Sequence, residues 1–464
     1  MDLLFQDTIC AVSTAPGVGG IAVIRVSGKE ALRICAPFFK SDISAIPANS
    51  CRFARFIRPE GEVLDEVMLT VFRAPHSFTG EDTLEIACHG SLYIQQCILQ
   101  DLVRGGARLA RPGEFTQRAF LNGKMDLSQA EAVADLIASN SRAAHRLALK
   151  QMRGGYSDEL ARLRGKLLDF TSLVELELDF ADHEELEFAD RSQLQSLAQE
   201  IEEKIARLCD SFSVGNAIKN GIPVAIVGRT NAGKSTLLNA LVGEEKAIVS
   251  NIHGTTRDVI EDCVSIDGIL FRFFDTAGLR ETTDTIESLG IARSYRAIDK
   301  AQIVLWVIDA TDRLAEKAGT ISFDENEIAV PEDKTCIVVF NKIDKVQAAG
   351  LDISSLSSRH PHCRISAKQG LGIDQLRQML IEASQIDEQA FEDVTVSNSR
   401  HYENLLHALD AIRRVQDGLQ TQLPGDLLSM DLRECIDQLG AITGGALATD
   451  EILGNIFSKF CIGK

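Results

Sequence analysis

The sequence lacks paired metal-binding cysteines, long hydrophobic runs and an excess of positive charge. Its 11 cysteines include no C-x-x-C pair, which argues against a zinc knuckle or a disulfide framework and favours reduced thiols in a cytosol. No apolar run approaches the roughly 20 residues that a membrane-spanning helix needs. The first residues show neither the basic region nor the apolar stretch of a secretory signal. We therefore expect a cytoplasmic protein with no membrane span.

The charge balance excludes a general polyanion binder. The chain carries 48 basic and 67 acidic residues, a net charge of −19, whereas phosphate backbones attract local Lys and Arg. Any nucleic-acid contact must therefore use a local basic face or a partner protein. The 464 residues, 45% of them hydrophobic, predict a globular protein of about two to four domains.

The N-terminal region, residues 1–122, predicts an α+β domain. Short β-branched runs at 21–26 and 62–72 are typical of strands, and Gly and Pro turns separate them. Residues 91–103 predict a helix, because apolar residues recur there at intervals of three and four.

The pattern turns helical over 123–215 and again over 385–464. Between 171 and 210, twelve acidic residues stand against three basic ones. We interpret this run as a solvated helix face, with a docking face for a basic partner as the alternative.

Between the two helical stretches, residues 216–384 alternate apolar strands with helices. Short apolar runs of this kind are typical of strands covered on both faces, as in a parallel α/β sheet. The expected strands are at 224–227, 270–274, 303–308 and 336–340. The sequence therefore predicts three parts: an α+β N-terminal domain, an all-α domain, and an α/β domain inserted into the helical one.

The strongest motif runs from Gly228 to Ser235 and reads G-R-T-N-A-G-K-S. It follows a predicted strand and precedes a predicted helix, which is the context of a P-loop. Its glycines let backbone amides and a helix N-terminus face phosphate groups. We expect Lys234 to reach the β- and γ-phosphates, and Ser235 to bind Mg²⁺.

Three further motifs follow in the order expected of a G domain with a six-stranded sheet. The segment Asp275-Thr276-Ala277-Gly278 ends a strand, so Asp275 would hold the magnesium shell. Asn341-Lys342-Ile343-Asp344 places a carboxylate where it accepts two guanine N–H donors. The third motif, Ser366-Ala367-Lys368, places a backbone amide near the guanine oxygen. The nucleotide is therefore GTP. Its expected contacts are Asn231, Ala232, Gly233, Lys234, Ser235, Thr236, Ser250, Thr255, Thr256, Asp275, Thr276, Ala277, Gly278, Asn341, Lys342, Asp344, Ser366, Ala367 and Lys368.

The catalytic apparatus departs from that of many signalling GTPases. Leu279 follows D-T-A-G where those proteins have a glutamine, so another group must orient the attacking water. Within switch I, the segment 249–258, Thr256 is the second expected protein ligand of Mg²⁺. Asn231 places a side-chain oxygen beside the phosphates, where a monovalent cation such as K⁺ would replace an arginine finger. Glu287 is the candidate for orienting water, with an ordinary helix-surface glutamate as the alternative.

Motifs along the whole chain resemble the MnmE (TrmE) family of tRNA-uridine modification GTPases. The G-domain part of the resemblance lies in the P-loop, G-T-T-R-D, D-T-A-G-L-R and I-E-x-x-G-I. The more specific part is S-F-T-G-E-D at 77–82, R-P-G-E-F-T-Q-R-A-F-L-N-G-K at 111–124, and F-C-I-G-K at 460–464.

The resemblance implies a function that the composition does not show. Such proteins act with the FAD-containing protein MnmG, in a heterotetramer or larger complex, on the wobble uridine (U34) of certain tRNAs. They build aminomethyl or carboxymethylaminomethyl groups at C5. A tetrahydrofolate derivative, 5-formyl- or methylene-tetrahydrofolate, supplies the one-carbon unit. The N-terminal domain would bind the folate and form a constitutive homodimer.

The resemblance also assigns residues. The folate contacts would be Arg25, Glu85, Lys124 and Lys464, although Arg25 and Glu85 are also candidates for an ion pair within the domain. The K⁺ ligands would be Asn231, Ser250, Ile252 and Thr255, and Glu287 would position water as two G domains approach each other. Cys461 is a candidate catalytic thiol, with a small buried structural cysteine as the alternative.

Two other functions compete with this one. A ribosome-assembly GTPase would bind RNA as a checkpoint and modify nothing, but that class commonly carries a basic module after its G domain. Here the corresponding segment is helical and ends in F-C-I-G-K. The third candidate is a structural dimer that uses GTP only for assembly.

Overall fold

The structure is a computed structural model. The structure describes residues 7–179, 191–243, 262–274, 295–311, 330–346, 360–386, 394–445, 450–458 and 460–463. The chain divides into two compact units, each built from separate stretches of sequence. The first comprises Met1–Ala134, Gln151–Ile201 and Asp410–Lys464, and the second comprises Asp135–Lys150 and Glu202–Leu409.

A six-stranded, mostly antiparallel sheet forms the N-terminal part of the first unit. The strands are β1 (Ile9–Val12), β2 (Gly19–Ser27), β3 (Ser50–Ile57), β4 (Val63–Phe72), β5 (Thr83–Gly90) and β6 (Arg108–Leu109). Their order is β3-β4-β5-β2-β1-β6, and β1 pairs with β6 in parallel. The strands and the helix expected in this region are confirmed.

Two helices, α1 (Ala31–Cys35) and α2 (Leu92–Arg104), cover one face of this sheet. Along β3 the side chains alternate, so that Phe56 is fully buried while Phe53 is 58% exposed. This period of two is what a sheet with one covered face requires. The opposite face is covered near β1, but over β3 and β4 it leaves apolar side chains at the surface, and this exposed part is called the uncovered face.

Helices make up the rest of the first unit. They are α3 (Glu114–Leu121), α4 (Leu127–Ala138), α5 (Arg142–Met152), α6 (Gly155–Asp179) and α7 (Arg191–Asn220). Near the end of the chain follow α10 (Ser399–Gln420), α11 (Gly425–Thr443) and α12 (Asp450–Ser458). Helices α4, α5, α7 and α10 are divided between the two units, and most of α5 and α7 lies in the second. Helix α11 packs along α6 although they are distant in sequence, and Arg433 pairs with Glu175 at 2.7 Å.

The second unit contains the other sheet, again six-stranded within the described residues. Its strands are β7 (Ile222–Val227), β8 (Asp262–Ile266), β9 (Ile269–Phe274), β10 (Ile303–Asp309), β11 (Thr335–Asn341) and β12 (His362–Arg364). The order is β12-β11-β10-β7-β9-β8, and all pairs are parallel except β8–β9. Helices α8 (Lys234–Val242) and α9 (Ile373–Ala383) accompany the sheet.

Every residue of β10 is buried, because hydrophobic clusters cover both faces of this sheet. A continuous apolar run is what such a strand needs, and the expected parallel α/β sheet is confirmed. In a parallel sheet the carboxyl ends of neighbouring strands meet at one edge, which is where the sequence motifs lie. None of the helices in the described residues combines the length and apolar composition that crossing a bilayer requires.

Candidate functional site

The P-loop connects β7 to α8 and depends on its glycines. Gly228 and Gly233 have φ angles of +143° and +94°, a region that side chains with a Cβ rarely adopt. A Cβ on Gly228 would lie 2.2 Å from the carbonyl oxygen of Val307, and one on Gly233 would lie 2.2 Å from Nδ2 of Asn341. The loop is therefore packed against β10 on one side and the end of β11 on the other.

Lys234 is the first residue of α8, and its ammonium group turns back into the loop. Its Nζ donates to the carbonyl oxygens of Gly228, at 2.7 Å, and Arg229, at 2.8 Å. Burial lowers the pKa of Lys234 below its ordinary value. A phosphate anion at this helix N-terminus would favour the charged form of the amine.

Three other predicted contacts, Asn231, Ser235 and Thr236, lie in the same loop and helix start. Asn231 is exposed and takes a left-handed backbone conformation with φ of +64°, so its side chain is on the open side of the loop. Ser235 lies in the first turn of α8, next to the lysine, and its role as a magnesium ligand stays a prediction.

Asn341 joins three segments of the nucleotide site. Its Nδ2 donates to the carbonyl oxygen of Ala232 at 2.9 Å. Its Oδ1 accepts from the backbone N–H of Lys342 at 2.8 Å and from that of Ala367 at 3.0 Å. This buried amide ties the P-loop to both predicted guanine-recognition motifs. Its contribution is structural cohesion of the site, in addition to the nucleotide contact that the sequence predicted.

The carboxylate of Asp344 lies at the surface and is positioned by one hydrogen bond. The hydroxyl of Ser366 donates to its Oδ1 at 2.6 Å, while the residue itself is exposed. Because a carboxylate has lone pairs left after one such bond, it can still accept two donors from a base edge. Lys368 is exposed two residues beyond Ser366.

An ion pair that sequence reasoning missed lies beside this motif. Nζ of Lys342 contacts Oδ2 of Asp309 at 2.5 Å, and the other oxygen of Asp309 accepts from N–H and hydroxyl of Thr311. Burial alone would raise the pKa of Asp309. The hydrogen bonds from Lys342 and Thr311 and the positive charge of Lys342 outweigh burial, so the pKa of this carboxyl is below its ordinary value. The sequence shows only that Asp309 follows a predicted apolar strand; that it lies directly opposite Asn341 on the neighbouring strand is a finding of the structure.

Eight expected residues of the nucleotide site, the water-orienting candidate and one folate candidate lie outside the described residues. They are the switch-I candidates Ser250, Ile252, Thr255 and Thr256, the segment Asp275, Thr276, Ala277 and Gly278, the water-orienting candidate Glu287, and, at the end of the chain, the folate candidate Lys464. Their assigned roles therefore stay predictions.

The N-terminal sheet brings together Arg25 and Glu85, two of the folate candidates. They are opposite each other on β2 and β5, and Oε1 of Glu85 accepts from Nη2 and Nε of Arg25 at 2.7 and 3.0 Å. The guanidinium of Arg25 lies 5.6 Å from the ring centroids of both Phe78 and Phe115. The alternative of an ion pair within the domain is thus the contact observed. Lys124 is exposed and donates to the carbonyl oxygen of Pro75.

The last residues of the chain dock on the strand next to this pair. A Cβ on Gly463, whose φ is +93°, would lie 2.2 Å from the carbonyl oxygen of Val12, and Ser13 donates its hydroxyl to the carbonyl of Gly463 at 3.0 Å. Cys461 is exposed, which contradicts the alternative of a buried structural thiol. Its own carbonyl oxygen accepts from the N–H of Gly113 at 3.3 Å.

A buried charged cluster, which the sequence did not identify, supports this region. Arg118 is 1% exposed and donates to Asp7 at 2.7 Å and to Glu81 at 3.2 Å. Nη2 of Arg108 contacts the fully buried Glu114 at 2.6 Å. Burial opposes ionisation of Glu114, but Arg108 and nearby donors hold the pKa of this carboxyl below its ordinary value. The cluster fixes the 77–82 loop against α3.

Comparison with known proteins identifies the family of the chain. The MnmE helical domain model matches residues 127–461, and the model for the GTP-binding protein TrmE N-terminus matches residues 8–124. A tRNA modification GTPase MnmE from Parabacteroides distasonis is 58% identical, with 99% of this chain and 100% of that protein covered. One from Bacteroides fragilis is 56% identical, with 99% and 100% covered.

Among solved structures, the chain is similar to the G domain of the T. maritima FeoB iron transporter. The identity is 25% and the TM-score 0.24, over 35% of this chain and 99% of that one. The family assignment rests on the family models and the full-length relatives. The chain belongs to the MnmE family of tRNA modification GTPases and is a GTP hydrolase.

Proposed function

We propose that this GTPase is activated by K⁺ and works in the cytoplasm with the FAD-containing protein MnmG on tRNA. Together they would install aminomethyl or carboxymethylaminomethyl groups at C5 of the wobble uridine, using a one-carbon unit from 5-formyl- or methylene-tetrahydrofolate. The four-part division at residues 122, 215 and 384 belongs to this proposal. The observation that carries its GTPase part is the joining of the P-loop and both predicted guanine motifs by the single side chain of Asn341.

The described residues support the binding half of GTP hydrolysis. In that reaction water attacks the γ-phosphorus, the bond to the β–γ bridging oxygen breaks, and GDP and phosphate leave. Lys234 offers its charge to the β- and γ-phosphates, and Asp344 selects guanine. Mg²⁺ held by Ser235 and Thr256 would neutralise phosphate charge. Glu287 would orient the water.

The place of Asn231 supports a cation in the role of an arginine finger. Its side chain is exposed on the open side of the P-loop. Neutral amide and carbonyl oxygens are suitable ligands for a monovalent alkali cation. Backbone oxygens of Ser250 and Ile252, with Thr255, would complete the K⁺ site. The proposal requires closure of two G domains in a homodimer.

The N-terminal sheet supports the folate and dimer parts of the proposal. Arg25 and Glu85 offer a cation for a carboxylate tail and an acceptor for pterin N–H donors. The exposed Cys461 lies on the tail that docks beside β1, which is compatible with a chemical role. On the uncovered sheet face, Phe53 and Met68 are opposite each other and 58% and 43% exposed, as a homodimer surface would need.

The test uses a deletion strain complemented with the wild-type gene or with Lys234→Ala. Mass spectrometry of tRNA nucleosides should find modified wobble uridine with the wild type and unmodified uridine with the variant. If the wobble uridine of the deletion strain kept its usual modification while its ribosomes were defective, the protein would instead be a ribosome-assembly GTPase. In purified protein, GTP turnover should be at least about 10-fold faster in KCl than in NaCl, because the cation neutralises transition-state charge; equal rates would contradict the K⁺ part.

A further inference from the structure

Helix α5 presents a basic face in an otherwise acidic protein. Its 11 residues include Arg142, Arg146 and Lys150, and no Asp or Glu, whereas the whole chain has a net charge of −19. The three basic residues follow each other at intervals of four, which places them on one side of a helix about 6 Å apart along its axis. Arg142, His145 and Arg146 are exposed, and Lys150 is half-buried.

The opposite side of α5 is fixed to the second sheet. Ala143 and Leu147 are buried in the hydrophobic cluster that contains Val264 and Ile269. The N–H of Ala143 also donates to the carbonyl oxygen of Gly268, in the turn between β8 and β9, at 3.1 Å. The basic side chains therefore project from a helix whose orientation on the sheet is set by packing.

The stem of Arg142 lies beside Gly268, but the charge of its guanidinium does not stabilise the helix. Arg142 is the first residue of α5, where the helix dipole is positive and a cation is unfavourable. An acidic residue would stabilise the helix at this position. The arginine adds instead to the positive potential at this end of the helix, which is useful where an anion binds.

From these observations we infer that the basic face of α5, formed by Arg142, His145, Arg146 and Lys150, binds the phosphate backbone of the tRNA substrate. The inference rests on the proposed function, in which tRNA is the substrate. A protein partner fits this face less well, because stable protein interfaces centre on apolar and aromatic side chains, and no large apolar side chain of α5 is exposed. The contact would be with backbone and not with bases, so it would place the tRNA without reading its sequence.

The experiment measures binding of the full-length protein to a fluorescein-labelled tRNA transcript by fluorescence anisotropy, at several KCl concentrations. Arg142→Glu should weaken binding roughly 5-fold at 0.1 M salt, and Arg142→Glu with Arg146→Glu roughly 20-fold or more. The slope of log K against log salt should become shallower by about 1 for each lost phosphate contact. Thermal stability of Arg142→Glu should equal or exceed that of wild type, because an acid at this position suits the helix dipole.

The control is Arg207→Glu, which reverses one exposed charge on α7 in the same unit and should leave tRNA affinity within about 2-fold of wild type. Unchanged affinity and slope in the Arg142 variants would overturn the inference, and so would an equal loss in the control. If the Arg142 variants kept wild-type tRNA affinity but no longer co-eluted with the FAD-containing partner, the inference would be overturned in favour of a protein interface. If the wild-type protein itself bound no tRNA, the tRNA part of the proposed function would fail together with it.

Discussion

The two sheets of the molecule place their candidate sites in different ways. In the second sheet, both faces are covered and the nucleotide motifs follow the carboxyl ends of β7 and β11. In the N-terminal sheet one face is covered near β1 but left exposed over β3 and β4, and the folate candidates Arg25 and Glu85 project from the middle of strands. The first arrangement depends on loop geometry, and the second on cross-strand neighbours. A substitution in the P-loop should therefore affect nucleotide binding alone, and a substitution on a face of the N-terminal sheet should affect only that sheet.

The largest expected effect is on the loop of the second sheet. Gly233→Ala should reduce GTP affinity by roughly 100-fold or more, because its φ of +94° and the 2.2 Å approach to Asn341 Nδ2 leave no place for a Cβ. Calorimetric titration with a non-hydrolysable GTP analogue measures it. Gly61→Ala is the matched control, since Gly61 has a φ of +91° with no atom near its Cβ position. It should leave nucleotide affinity unchanged.

The second prediction concerns the buried cluster that supports the N-terminal sheet. Glu114→Gln should lower the free energy of unfolding of this sheet by about 2–4 kcal/mol, because Arg108 loses its buried partner. The only tryptophan, Trp306, is buried in β10. Urea unfolding followed by circular dichroism should therefore shift, while the Trp fluorescence transition should stay where it is. A parallel shift of both transitions would show that the two sheets unfold together.

The pH dependence follows from the direction of the pKa shift. The pKa of Glu114 in the folded protein is lower than its ordinary value of 4.5. Its ionised form therefore stabilises the fold above that pH, and the stabilisation is lost as the pH falls through the folded-state pKa. The difference between wild type and Glu114→Gln should be full at pH 7 and should shrink in acid.

A smaller effect is expected where a side chain acts through another. Asp309→Asn keeps the size of the side chain but removes the charge that holds Lys342, so GTP affinity should fall about 5- to 10-fold. The dissociation rate of a fluorescent GDP analogue should rise by a similar factor. Asp374→Asn, which changes a carboxylate that is 96% exposed, should alter neither. An Asp309 variant with wild-type affinity would show that Lys342 needs no preset position.

The sequence predicted most of the fold and only part of the site, for a physical reason. Continuous apolar runs and alternating runs are local properties, and they specified β10 and β4 before the structure did. The P-loop is equally local, since one short segment supplies its glycines and lysine. The pair Asp309–Lys342 and the cluster around Arg118 join segments far apart in the chain. Such pairs depend on which strands become neighbours, and composition or spacing does not contain that information.

The smallest effect is expected on the uncovered face of the N-terminal sheet, where Phe53 is 58% exposed. In the dissociated monomer, Phe53→Ser should change the free energy of unfolding by less than about 0.5 kcal/mol. Three residues along the same strand, Phe56 is fully buried and stacks on Phe38 with ring centroids 5.0 Å apart. Phe56→Ala should therefore cost about 3–5 kcal/mol, as the control for a covered face.

Protein concentration then separates the monomer from the proposed homodimer. Association through the Phe53 face would make the wild-type melting temperature rise with protein concentration, since binding to the folded state stabilises it. In Phe53→Ser that rise should be weaker, and light scattering should show more monomer. If the melting temperature of both proteins rose equally with concentration, the dimer surface would lie elsewhere. The uncovered face would then remain a difference in packing between the two sheets, and it would have no role in dimer formation.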